Sequence, residues 1–537
     1  MERPENPVRW LFDSREGPRT VLLARWLWLR ALAAIFFSAF FSLLFQIKGL
    51  IGPQGILPAG ETLVAIGKAA HGARFWVAPS LFWINSSSHF LMAVMWIGLL
   101  ASVAAFLNIW PRVSLLVCWV CFLAFVSSSS DFSSYQSDGM LLEAGFISMF
   151  FAPPGLRPGL ARQHPPIRAS LWLLQWEWFR IYFESGLVKW LSGDPQWRNL
   201  TAMNDYYQNS PLPSWVGWYA GHLPETFQKF TAGATLALEF VVVLLIFFPR
   251  SWPAGRAVRV GLFIVVTVWE IPVILTGNYA FLNYLVLSLG ILLVDDRTLA
   301  SWVPARWRSR LTLAPPDEPG PAPAHEPAAQ HAVRSLKLTV ATLFLAVIAY
   351  DTCYEMLNIV MPGLPLPSAP VAVLEPFRIA NQYGLFAVMT RGRYEIEFQG
   401  SNDGQNWTAY PFRYKPQAVN ERPRVFAPYQ PRFDWNLWFA SLGDWQQNEL
   451  VPLTEERLLD NDADVLSLFR GNPFPQAAPK YVRAVLWQYW FTSMDEKRRT
   501  GNWWNRKLVG IYAPELTKAP GGRYAAVAVP EPLPPHD

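Results

Sequence analysis

Charge is what this chain has little of. Only 16% of its 537 residues are Asp, Glu, Lys or Arg, while 52% are apolar; ordinary soluble domains carry about 25% charged residues. A disordered chain is thereby excluded, and lipid becomes a main solvent. Cysteine is scarcer still: Cys118, Cys121 and Cys353 cannot build a disulfide framework. Cys118 and Cys121 spell C-x-x-C, but inside the apolar run 113–126, without the strand–helix setting of a redox motif, so they read as structural thiols. No phosphate-binding glycine loop, no G-x-S-x-G elbow and no H-E-x-x-H helix occurs. The seven histidines (His71, His89, His164, His222, His325, His331 and His536) show no ligand spacing, so neither a metal nor another cofactor is expected. The net charge of +5 lies mostly in short segments between apolar runs, which suits membrane orientation and not nucleic-acid binding.

What is abundant is aromatic: 27 Trp, 18 Tyr and 36 Phe, a loading that fits long membrane–water interfaces. Runs of roughly twenty apolar residues are needed to span a bilayer. Candidates fall at 25–47, 90–108, 113–130, 140–153, 171–191, 231–248, 260–275, 279–294 and 336–360. The expected fold is a polytopic α-helical membrane protein with about nine transmembrane helices, followed by a mainly-β extracytoplasmic domain. With the N-terminus inside, 19 Lys and Arg fall on inner segments and 5 on outer loops, which places the C-terminal part outside. The Arg-rich N-terminal stretch lacks a small-residue cleavage site and reads as an uncleaved signal anchor.

The divisions follow: 1–24 a cytoplasmic segment, 25–300 an eight-helix body, 301–335 a Pro/Ala-rich linker, 336–360 the ninth helix, 362–519 the outer domain and 520–537 a flexible tail. Within the outer domain the alternation at 394–398 predicts a half-buried strand, with a return strand at 407–414 after a turn. Further strands are expected at 480–491 and 503–512, and a helix over 454–469 capped by Thr454.

Ionisable side chains inside predicted helices are the candidate site, because in lipid they must face protein or trapped water. They are Glu143, Glu177, Arg180, Glu184, Glu239 and Glu270. Glu177, Arg180 and Glu184 recur on one helix face, and Lys189 lies near that helix's outer end. An internal polar clamp, a proton path or buried polar ligand site, and lipid-headgroup contact all fit this pattern. Glu239 and Glu270 are each expected to find a partner on another helix. The aromatic outer loop 192–226 reads as an interface anchor, or as a groove for an apolar ligand or a partly folded polypeptide. Arg432, Asp434, Trp435 and Trp438 form a stiff, aromatic cluster that suits client contact; the alternative is that the two Trp plug the sheet against the 454–469 helix. Asn85, Asn199 and Asn406 begin N-x-[ST] sequons, all on the side assigned as outer.

Several blocks in this order resemble the lipase maturation factors. They are Gly52-Pro with Gly55-Ile-Leu-Pro58, Ser137-Asp-Gly-Met-Leu-Leu-Glu-Ala-Gly-Phe146, and Ser185-Gly-Leu-Val-Lys-Trp-Leu-Ser-Gly-Asp-Pro195 with Trp197, Tyr206-Tyr207 and Pro211-Leu-Pro213. Leu275-Thr-Gly-Asn-Tyr279, Pro428-Tyr-Gln-Pro-Arg-Phe-Asp-Trp435, Asn472-Pro-Phe-Pro475 and Trp503-Trp504 continue the series. The resemblance implies an endoplasmic-reticulum membrane protein that helps secreted lipases fold and assemble into active dimers, with its lumenal C-terminal domain required. No catalytic residue comes with it. The expected partners are a secreted client and membrane lipid. The body also looks, more distantly, like the membrane part of vitamin-K-dependent carboxylase relatives; on that alternative reading an intramembrane enzyme or lipid-binding protein would act at the outer leaflet, with Lys189, His89 and His222 near that face. The excess of 35 Arg over 10 Lys suits a GC-rich bacterial genome, in which case the membrane would be the inner one and the outer domain periplasmic.

Overall fold

The computed structural model describes residues 6–133, 135–249, 251–304, 306, 328–531 and 533. All nine apolar runs are helical: α1 (Leu22–Leu44), α2 (Ser88–Phe106), α3 (Pro111–Val126), α4 (Gln136–Phe151), α5 (Arg168–Leu191), α6 (Glu225–Phe240), α7 (Gly255–Thr276), α8 (Leu282–Gly290) and α9 (Ala328–Val360). Among the described residues, five are long and apolar enough to cross a membrane: α1, α2, α6 with its 3-10 continuation, α7 and α9. The expected count of nine also drew on α3 and α8, which are apolar but short, and on α4 and α5, whose buried faces carry ionisable groups. The chain is a polytopic membrane protein with a C-terminal sheet domain.

Helix α1 is the axis of the body: 61% of its apolar window is buried, against 17% for α7 and for α9 at the periphery. Its first turn is held by one carboxylate. The Asp296 side chain accepts from the amides of Leu22, Leu23 and Ala24 at 2.7, 2.9 and 3.1 Å, taking three of the donors that a helix start leaves orphaned.

The C-terminal domain is an antiparallel sheet of β1 (Arg393–Ser401), β2 (Thr408–Ala409), β3 (Tyr481–Phe491), β4 (Trp504–Ile511), β5 (Glu515–Lys518) and β6 (Tyr524–Ala528). Strand β3 is its hub, pairing β1 along one edge and both β4 and β5 along the other. Helices α10 (Arg432–Ala440) and α11 (Leu450–Leu459) complete the fold.

Four expectations are corrected here. Strand β1 is buried on both faces, not one. On one side Phe398 packs against Phe412, Phe433 and Phe469; on the other Glu395 is neutralised by Arg393 and by Lys415 at 2.7 Å. The return strand is only two residues long. The 454–469 helix is two helices: Thr454 lies inside α11 with its hydroxyl on Leu450 O at 2.7 Å, and the chain breaks at Asn461, in a left-handed conformation, before Asp462 caps Ala463–Leu466. The stretch from 520 is not a loose tail throughout, since β6 extends the sheet. Most of the Pro/Ala stretch, 307–327, lies outside the described residues, and α9 starts at Ala328, inside the expected linker.

Candidate functional site

Three of the charges within the helices, Glu143, Arg180 and Glu184, converge on the place where the C-terminal segment enters the helical body. Arg180, on α5, is fully buried and ion-paired with Glu143 of α4; Glu184, one turn on, stands 3.7 Å from the same guanidinium. The remaining partners come from beyond α9. Arg180 Nη1 donates to Asn381 O at 2.7 Å. Glu143 Oε2 accepts from the Asn381 amide at 3.0 Å and from the Tyr383 hydroxyl at 2.8 Å. Glu184 Oε2 accepts from the Tyr383 amide at 2.7 Å. The guanidinium also lies 4.9 Å from the Tyr383 ring centre. A guanidinium flanked by two carboxylates, with Glu143 Oε2 and Glu184 Oε2 also taking backbone amides, is a largely satisfied buried network; Arg180 Nε and Glu184 Oε1 have no hydrogen-bond partner among the described residues. Close approach requires a small residue: a Cβ on Gly139 would come 2.7 Å from Asn381 Oδ1.

Glu177 is set apart. Both its oxygens are buried and have no hydrogen-bond partner among the described residues, so the expected three-membered ladder closes through Glu143 and Glu184 instead. The helical angle explains this: Glu177 and Arg180 share a face, but the arginine turns toward the carboxylates beside the incoming segment. Lys189 pairs with Glu239 of α6 at 2.7 Å. Glu270 of α7 accepts from the Tyr182 hydroxyl and from Asn283 at 2.9 Å.

Arg432, Asp434, Trp435 and Trp438, the side chains suited to client contact or to a plug, are all buried. Arg432 reaches across to α4 and forms a two-pronged ion pair with Asp138 at 2.7 and 2.8 Å, with a third bond to Phe132 O. Trp435 packs on Tyr135 and Tyr279 of the body, so it plugs the seam between the two units and not the interval between sheet and helix. Asp434 Oδ1 accepts from the amides of Tyr414 and Lys415, both at 3.1 Å, and burial pushes its carboxyl up to about 6.

The seam is extensive. Asn278 Oδ1 accepts from the Phe426 amide at 2.9 Å while its Nδ2 donates to Arg424 O at 2.8 Å. Asp194 accepts from the Met389 amide at 2.7 Å, and Trp197 donates to Phe386 O at 2.9 Å. His222, expected near an outer-leaflet reaction site, lies between the Trp218 and Thr492 carbonyls at 2.7 and 2.8 Å. His89 is exposed, as are the sequon residues Asn85, Asn199 and Asn406. Sequence reasoning missed Asp138, Asp194, Asn278, Asn381 and Tyr383 as members of one surface. The signal was present for three of them: Asp138, Asp194 and Asn278 sit inside the blocks that carry the family resemblance.

A polytopic helical body into which a sheet domain is locked by a buried ion pair and many buried hydrogen bonds is the class of protein defined here. The family model described as the lipase maturation factor transmembrane domain matches residues 23–301, and that of the lipase maturation factor C-terminal domain matches 379–514. Similar proteins include lipase maturation factor 2 of Gallus gallus, 31% identical over 590 residues (92% of this chain, 81% of that one). Lipase maturation factor 1 of Bos taurus is 30% identical over 518 residues (93% and 90%), and lipase maturation factor 2 of Homo sapiens 31% over 613 residues (92% and 83%). The chain belongs to the lipase maturation factor family. No solved structure matches it.

Proposed function

We propose that this protein is a membrane-embedded maturation factor for secreted lipases, acting by holding its client and not by catalysing a reaction. The observation that carries the reading is family membership over both units, since the two family models cover the helical body and the sheet domain in turn. In this reading all nine helices cross or enter the membrane, that of the endoplasmic reticulum, and the sheet domain faces the lumen. The divisions drawn from the sequence serve as working boundaries, with 301–335 as a tether and Asn85, Asn199 and Asn406 as candidate glycosylation sites.

The buried charges then act as a dock. Glu143, Arg180 and Glu184, with Arg432 and Asp138, hold the domain rigidly against the body so that a fixed surface meets the client. Client contact passes to aromatics that stay exposed beside the seam. Trp215 is 38% exposed and Tyr219 43% exposed, next to the buried Trp218 and Trp503. Rigid aromatics bind at low entropic cost. The test is co-expression with a secreted lipase in cells lacking their own factor. Trp215→Ala with Tyr219→Ala should leave the factor at its normal level while active lipase falls. Unchanged lipase activity would remove this surface from the proposal, and a wild-type factor that fails to raise lipase activity would remove the function.

A further inference from the structure

A cavity of about 470 Å³ opens where the end of α1 meets the C-terminal domain. Its size suits a ligand site. Its walls differ in character. One wall is Phe41 of α1 and Phe45 at its C-cap, which continue a column of exposed rings down the helix: Phe37 to Phe41 is 5.8 Å and Phe41 to Phe45 is 5.0 Å between ring centres. These rings are 38, 42 and 60% exposed on a helix long and apolar enough to cross a bilayer, so lipid chains are their natural neighbours. The opposite wall comes from the domain and is mixed, with Arg413, Tyr414, Tyr429 and Asp434 set among Phe433 and Leu468.

Two opposite charges face this space without pairing. Arg413 spends its Nε on Ser467 O at 3.1 Å, and its other nitrogens have no hydrogen-bond partner among the described residues. Asp434 commits Oδ1 to two amides, whereas Oδ2 has no donor among the described residues. Lys415 acts on this carboxylate only through space, since its Nζ is hydrogen-bonded to Glu395 at 2.7 Å and to Ile396 O at 2.6 Å. Beside Asp434 the Tyr414 and Tyr429 rings stack at 5.3 Å, and Tyr429 lies 6.5 Å from Phe41. A carboxylate beside aromatic faces is the setting that receives an alkylammonium, and a guanidinium with free N–H groups is the setting that receives a phosphate.

We propose that this cavity binds one zwitterionic glycerophospholipid, its phosphate on Arg413, its ammonium between Asp434 and the Tyr414–Tyr429 pair, and its acyl chains along Phe45, Phe41 and Phe37. The lipid would fill the gap between the domain and α1 and couple the seating of the domain to the membrane leaflet it faces. The occupant follows from continuity: the apolar wall runs directly into the lipid-facing side of α1, and both headgroup charges have a counterpart at the other wall.

The full-length protein in phosphatidylcholine nanodiscs doped with a diazirine-bearing phosphatidylcholine provides the test, with the labelled residues mapped by mass spectrometry after illumination. Label should concentrate on the peptide containing Phe41 and Phe45 and fall about tenfold in Arg413→Glu, the factor expected when one charge-assisted hydrogen bond to the headgroup is removed. Asp434→Asn, which keeps both amide acceptors, should lower it similarly, and decides the matter if Arg413→Glu lowers the melting temperature. A diazirine phosphatidylglycerol, which has the phosphate but no ammonium, should label this peptide less than phosphatidylcholine does. The proposal is overturned by label spread evenly over α1, α2, α7 and α9, by equal labelling in wild type and variants, or by equal labelling with phosphatidylglycerol. Displacement by millimolar phosphocholine would mark a soluble headgroup as the ligand, and a crosslinked polypeptide in place of lipid would mark a protein segment; either overturns it too.

Discussion

Arg432 shows how much one side chain can hold. It is fully buried and its partner Asp138 belongs to the other unit, so Arg432→Ala strands a carboxylate in the seam. Removing one partner of a buried pair costs about 3–5 kcal/mol, whereas replacing both by apolar groups of similar volume is often neutral. Arg432→Ala should therefore release the domain to protease at a lower temperature than wild type, and Arg432→Met with Asp138→Leu should restore much of the difference. Equal protease resistance in all three proteins would show the pair to be dispensable. Asp434 makes a prediction of opposite sign with respect to acid. Burial raises its folded value to about 6 from an ordinary 3.8, so its contribution favours the folded state below the ordinary carboxylate range and is lost as pH rises through about 6. The shift corresponds to about 3 kcal/mol at neutral pH. Melting temperature measured between pH 4 and 7 should fall less steeply in Asp434→Asn than in wild type; parallel curves would mean that another group governs the slope.

Helix α5 carries two carboxylates with different fates, which makes the element itself a comparison. Glu184 accepts an amide and faces Arg180, while Glu177 has no hydrogen-bond partner among the described residues. An unsatisfied buried polar group costs about 1–3 kcal/mol, and an apolar side chain of similar size removes that cost. Glu177→Met should raise the melting temperature in detergent and Glu184→Met should lower it. A Glu177→Met protein that is more stable yet inactive on a client would mark Glu177 as functional, and one that is less stable would show that it has a partner in the folded state. The helices themselves were legible because lipid imposes length and composition: every apolar run is helical, and of the charges flagged on α4 and α5 Glu143, Arg180 and Glu184 meet while Glu177 does not. What periodicity could not show is the third party. Asn381 and Tyr383 are about two hundred residues from Arg180 in sequence, and nothing local marks a coil segment that will fill a polar gap in a helix bundle. The same holds for β1, where Glu395 and Glu397 imitate a solvated face because their neutralising partners, Arg393 aside, arrive from later segments. The Pro428–Trp435 block was visible as a stiff aromatic segment, but which side of it would be buried depended on Asp138, Tyr135 and Tyr279 of the body.

At the scale of the whole molecule, α1 works as a ruler. Its first turn is fixed by Asp296, and its far end by the domain: Ser42 Oγ accepts from the Gln430 amide at 3.0 Å and Gln46 Oε1 from the Arg432 amide at 2.8 Å. Roughly twenty helical residues separate these anchors, about 30 Å, the thickness of a bilayer core. Helix α9 runs the same way, because Arg334 near its start pairs with Asp13 of the N-terminal segment and its last residues lead into the domain. The N-terminal segment and the sheet domain therefore lie at opposite ends of the bundle. On the proposed topology, the basic asymmetry of the loops favours the cytoplasm for the end holding the N-terminal segment. A reporter that matures only in the cytoplasm should be bright when fused before Met1 and dark when fused after Asp537, and a reporter that requires an oxidising compartment should give the reverse. Cytoplasmic signal from both fusions would contradict the spacing of the two anchors on α1, and the reversed pattern would leave the spacing intact while inverting the orientation.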